Sequence, residues 1–85
     1  MANKPTTQLR RYLRGELKPI LQTDMKTEDN WLFVSDAATQ HNVSHTTIIN
    51  WIKKSISTPE EAILEARTLQ MSPKTKPGVI IVRFL

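Results

Sequence analysis

Chemistry in this chain has few places to reside. His41 and His45 stand four residues apart, a spacing used by metal ligands, but Asn42 and Val43 read as a turn between them. The pair therefore shares no single helical face, and neither a cysteine nor a nearby acid completes a ligand set. Asp24, Glu28, Asp29 and Asp36 cluster without a basic or nucleophilic partner. Ser35 and Ser44 sit where helices should begin and read as caps, so no nucleophile, base and orienting group come together. Catalysis, a metal and a cofactor are thus not expected. What remains is a run of polar side chains, Ser44, His45, Thr46, Asn50 and Lys53, interleaved with the apolar anchors Ile48 and Trp51. Asn can pair bidentately with adenine, and Thr and Ile side chains can touch a thymine methyl. Ile49 joins the set on those grounds.

Charge supports an anionic partner more by distribution than by total. The 85 residues carry a net charge of +4. Lys4, Arg10, Arg11, Arg14 and Lys18 against Glu16 make residues 1–18 strongly basic, and residues 19–36 are acidic. No Asp or Glu lies between Asp36 and Glu60, a stretch that includes Lys53 and Lys54. A surface that approaches phosphates needs such a gap. With no cysteine, disulfides and thiolate sites are excluded. No apolar run nears the ~20 residues of a spanning helix, and the first residues lack the apolar stretch of a secretory signal, so a cytoplasmic protein without membrane contact is expected.

The elements that must position these groups follow from periodicity and punctuation. Leu9, Tyr12, Leu13 and Leu17 recur at helical spacing, predicting a helix from Gln8 to about Lys18, capped by Thr6 or Thr7 and stopped by Pro19. Arg10, Arg11 and Arg14 fall largely on its other side, where they are candidates for phosphate contact. Trp31–Val34 reads as a short strand. Ser35 caps a helix over Asp36–His41, Asn42 stops it by tolerating the left-handed conformation, and Ser44 caps the next helix, His45 to Lys54 or Ser55. Thr58-Pro59-Glu60-Glu61 has the form of a capping box with proline at the first helical position, predicting a fourth helix to about Met71. Residues 72–78 form a loop, and Val79–Leu85 a strand.

The order is therefore α-β-α-α-α-β in a single small α+β domain, a helix-turn-helix with a short two-stranded sheet, winged-helix-like. Lys74 and Lys76 would sit in the loop before the last strand, near a phosphate backbone, as would Lys54 at its helix end. Val79–Leu85 is too apolar to stay uncovered. Pairing with Trp31–Val34 inside the monomer is the first reading, and pairing with a second subunit in a homodimer is the alternative.

Val34–Trp51 meets the requirements of a helix-turn-helix in register. Ala37 and Ala38 let a second helix come close, Asn42 turns the chain, Val43 plugs the gap, and Ile48 and Trp51 anchor the second helix. The pattern Ala37-Ala38-x4-Val43-Ser44-x2-Thr47-Ile48-x2-Trp51-Ile52-Lys53 resembles the helix-turn-helix of the MerR and excisionase superfamily. It departs from that family in having Asn42 where glycine is usual, and a capped helix where a wing of strands usually follows. The resemblance implies a regulator that binds double-stranded DNA, often phage- or plasmid-borne, acting in transcription or in recombination directionality alongside a recombinase or the transcription machinery. The alternative is an inhibitor or adaptor docking on protein through Ile49 and the last strand.

Overall fold

The computed structural model describes the backbone from Pro5 to Leu85 and the side chains from Arg11 onward. The first helix, α1, spans Pro5–Glu16 and places Thr6 and Thr7 inside it rather than at its cap. It ends before Pro19, whose ring disfavours helix at the preceding residue. Leu13 is its buried anchor, Leu17 packs half-buried beside the core, and Tyr12, expected inside, is exposed. Leu9 lies outside the described side chains.

Among the described residues, three α-helices and four strands make a small α+β domain. After α1 come β1 (Pro19–Leu21), two single turns of 3-10 helix, β2 (Leu32–Phe33), α2 (Val34–His41), α3 (His45–Ser57), β3 (Leu64–Gln70) and β4 (Ile80–Phe84). The sheet order is β1-β3-β4-β2, with β1 parallel to β3 and the other pairs antiparallel. The expected pairing of the last strand with the Trp31 region is present: Leu32 faces Val82 and Phe33 faces Ile81. Because β4 lies between β3 and β2, it is an inner strand. Within the monomer the middle of the strand is thus engaged on both sides.

The predicted fourth helix does not form. Its start is partly realised, since Pro59–Glu61 makes one 3-10 turn, but Thr58 provides no side-chain cap and the chain is extended by Leu64. Residues 64–70 are rich in good helix formers. Tertiary pairing overrides that preference. Ile80, Ile81 and Val82 are each 3% exposed or less, and an apolar strand of this kind is stable only when both its edges and its faces are covered. β3 supplies one edge through five residue pairs, from Leu64↔Phe84 to Thr68↔Ile80. Directly opposed residues share a face of the sheet. Leu64, Ala66 and Thr68, with Phe84, Val82 and Ile80, therefore form one layer, against which Ile48 and Ile52 of α3 pack in the core. On the opposite face, Glu65 receives Arg83 Nε at 2.7 Å and Arg67 Nε at 3.0 Å. A charge pattern compatible with a helix thus serves a strand.

Candidate nucleic-acid interface

The turn between α2 and α3 is built as the sequence requires. Ala37 and Ala38 are buried at the crossing, where any larger side chain would hold α3 away. Asn42 adopts φ 55° and ψ 47°, the left-handed conformation. Its N–H donates to the Thr39 carbonyl at 3.2 Å, and the Val43 N–H donates to the Ala38 carbonyl at 2.9 Å. This pair of bonds is the Schellman arrangement, which satisfies the last carbonyls of a helix while reversing the chain. The start of α2 is two residues earlier than expected. Phe33 stands at its cap with no side-chain bond, so Ser35 lies inside the helix instead of capping it.

Ser44 caps α3 as predicted, its Oγ accepting the Thr47 N–H at 3.2 Å. The same hydroxyl lies 3.1 Å from Thr47 Oγ1, so it is engaged within the helix start. Beyond it, the six candidate reading residues divide by position. Thr46, Asn50 and Lys53, four and three residues apart, form one exposed stripe at helical spacing. His45, also exposed, lies at the head of the helix in a cleft with Arg14 and Ser35. Ser44 is exposed at the cap. Ile49 is entirely buried, which corrects its assignment to the outer face. The reason is the number of neighbours: α3 packs on α1, α2 and β3 together, so its buried arc is wider than a two-helix contact and includes Ile48, Ile49 and Ile52.

Trp51 was expected as the second anchor, and it packs half-buried in an aromatic group. Its ring meets the edge of His41 with centroids 6.2 Å apart, and His41 lies against Phe84 at 4.0 Å. His41 is therefore occupied in packing at the end of α2, although part of it stays exposed. The two histidines point to different surroundings, and among the described residues no three acidic, histidine or cysteine side chains gather as metal ligands would. No helix is long and apolar enough to cross a membrane among the described residues.

The basic candidates are unevenly placed. Arg11 and Arg14 are exposed on α1, and Arg14 reaches the cleft at the head of α3; the side chain of Arg10 lies outside those described. Lys54 is exposed but stands 3.6 Å from Glu61, so one of the candidate cations already has a weak partner. Lys74 and Lys76 are exposed in the loop joining β3 and β4. That loop is braced from inside. The Gln70 side-chain amide donates to the Thr75 carbonyl at 2.8 Å and to that of Pro73 at 3.4 Å, while Ser72 and Thr75 join their hydroxyls at 2.7 Å.

Two features escape a reading of the sequence. Phe33 and Val79 are 48% and 43% exposed, and both line the cleft that holds Arg14 and His45. Each lies in an apolar run, and periodicity within such short runs does not tell which member faces outward. The second feature is Glu65, held between Arg67 and Arg83. Burial raises its carboxyl pKa, but hydrogen bonds and charge from the two arginines outweigh that, and the net result lies below the ordinary glutamate value.

Comparison with protein-family models, with curated proteins and with solved structures found no match for this chain.

Proposed function

We propose that the chain is a sequence-specific double-stranded DNA-binding protein of the phage or plasmid type, regulating transcription or the direction of recombination. One observation carries the reading: Thr46, Asn50 and Lys53 stand in an exposed stripe on a helix delivered by a tight helix-turn-helix. Within α3 there is no carboxylate to repel a duplex. In this reading α3 enters the major groove, with Asn50 as the principal base reader and Thr46 and Lys53 beside it. His45 at the head of the helix reads beside them, and Arg11, Arg14, Lys54, Lys74 and Lys76 meet the phosphates.

The braced β3–β4 loop acts as a wing, in a winged-helix-like arrangement where the hairpin follows the reading helix after one 3-10 turn. After α3 the chain goes on to strands rather than to a fourth helix, which supports a wing in this reading. The adaptor reading loses its proposed surface, because Ile49 is buried and β4 is internal. The setting proposed is the cytoplasm, and the further partner a recombinase or the transcription machinery.

The test is selection of bound duplexes from a random pool, followed by gel-shift titration at several salt concentrations. With roughly four to six phosphate contacts, log K should fall against log salt with a slope of about −4 to −5. Absence of both an enriched sequence and a salt slope would end this reading.

A further inference from the structure

The sheet is left incomplete along one edge. β1 pairs with β3 only from Pro19↔Thr68 to Leu21↔Gln70, because the chain before Pro19 turns away into α1. Residues Leu64–Arg67 of β3 therefore have β4 on one side and, among the described residues, no strand on the other. The direction of the backbone groups follows from alternation. The Thr68 N–H donates to the Lys18 carbonyl at 3.1 Å, on the β1 side, whereas the Leu69 N–H donates to Val79 at 2.8 Å, on the β4 side. Residues two apart in a strand point their N–H and C=O the same way. Ala66, like Thr68, thus turns both groups toward the missing strand.

That edge lies at the floor of a groove of about 590 Å³. Leu17, Ile56, Pro59 and Leu85 give it apolar walls, and Glu16, Lys18, Glu65 and Arg67 are its charged groups. We propose that this groove takes an extended peptide segment of a partner protein, which adds a strand to β3 along the line that β1 leaves unfilled. Unpaired edges are the usual templates for such addition, with main-chain bonds supplying affinity and alternate side chains supplying selectivity.

Backbone direction and charge select the occupant. The open edge runs beside the ends of α1 and α3, and an added strand would lie about 4.8 Å from it. The Glu65 carboxylate is held by both Arg67 and Arg83, which leaves one positive charge in excess at that cluster, while Lys18 and Glu16 offset each other beside it. The segment that fits has apolar residues at alternate positions and acidic residues between them. This inference does not depend on DNA binding, and the stripe on α3 takes no part in it.

The test uses the full chain and a fluorescein-labelled eight-residue peptide of alternating valine and glutamate. Fluorescence anisotropy measures binding, and amide NMR locates it. The expected result is saturable binding, with shifts and slowed hydrogen exchange at Ala66. Binding should weaken by about tenfold or more when the peptide backbone is N-methylated at the pairing positions, since each buried bond lost leaves its partner unsatisfied. A valine–lysine peptide and the Lys18→Glu variant should each weaken it as well. Ala66→Pro removes an N–H that makes no bond to β4, and should abolish binding while leaving cooperative unfolding in place. Lys18→Glu supplies the answer if the proline variant does not fold. Equal binding of the N-methylated peptide, shifts confined to α3, or no binding at millimolar peptide would each overturn the proposal. So would a dimer that protects the Ala66 amide without peptide, which would assign the edge to a second copy.

Discussion

The ammonium group of Lys54 stands 3.6 Å from the Glu61 carboxylate, with both side chains more than half exposed. The contact joins the end of the proposed reading helix to the 3-10 turn that follows it. Exposed pairs of this kind contribute little to stability, about 0 to 1 kcal/mol. Their effect on a polyanion is larger, because the acid offsets a cation that would otherwise meet a phosphate. Glu61→Gln should therefore tighten binding to any duplex and steepen the salt dependence, whereas Lys54→Ala should weaken all sequences alike. Titrations at two salt concentrations check both, and a Glu61→Gln protein that binds no better would remove Lys54 from the phosphate set.

Asn50 and Ile49 are adjacent in sequence and opposite in environment, one exposed and one fully buried. Asn50→Ala should leave unfolding within about 0.5 kcal/mol of the parent, as surface changes usually do, and relax preference at a base pair by about 1–3 kcal/mol. Ile49→Ala should lower stability by about 2–5 kcal/mol through the cavity it leaves. Denaturant unfolding alongside binding to a selected duplex separates the two outcomes.

At Asn42, with φ 55°, the tolerance is conformational. Asn42→Gly should be nearly neutral, while Asn42→Ala should cost about 1 kcal/mol or somewhat more, because a Cβ in the left-handed region meets the following carbonyl. A larger loss for the glycine variant than for alanine would mean that the Asn side chain, not the backbone, sets the turn.

Stability should fall in acid partly through Glu65. Its folded pKa lies below the ordinary glutamate value, so its contribution is fully present above the unfolded pKa and is lost as pH falls through the folded one. Glu65→Gln should flatten that part of the pH–stability curve at the acidic end and leave the neutral-to-basic side unchanged in slope. Unfolding midpoints measured across the acidic range, parent against variant, test this.

Much of the proposed interface is local chemistry and was readable residue by residue. Ser44, with its hydroxyl at the helix start, and Asn42, able to take positive φ, act within a few residues of themselves, so their types and spacing were enough. The same holds for Ala37 and Ala38 at the crossing. Residues 58–71 were misread because their local preference is helical, and only the need of Ile80–Val82 for a neighbour makes them a strand.

Ile49 was misplaced for a related reason. A helical wheel gives its angle but not how many elements surround the helix, and here α1, α2 and β3 all pack on it. Sequence by itself determined the turn at Asn42, the cap at Ser44 and the stretch without acids, because those depend on one to four neighbouring residues. Which side of α3 stays free, which strands meet, and which edge of β3 is left open were decided only in the folded chain. Each depends on contacts between residues distant in sequence, and their free energy exceeds local propensity.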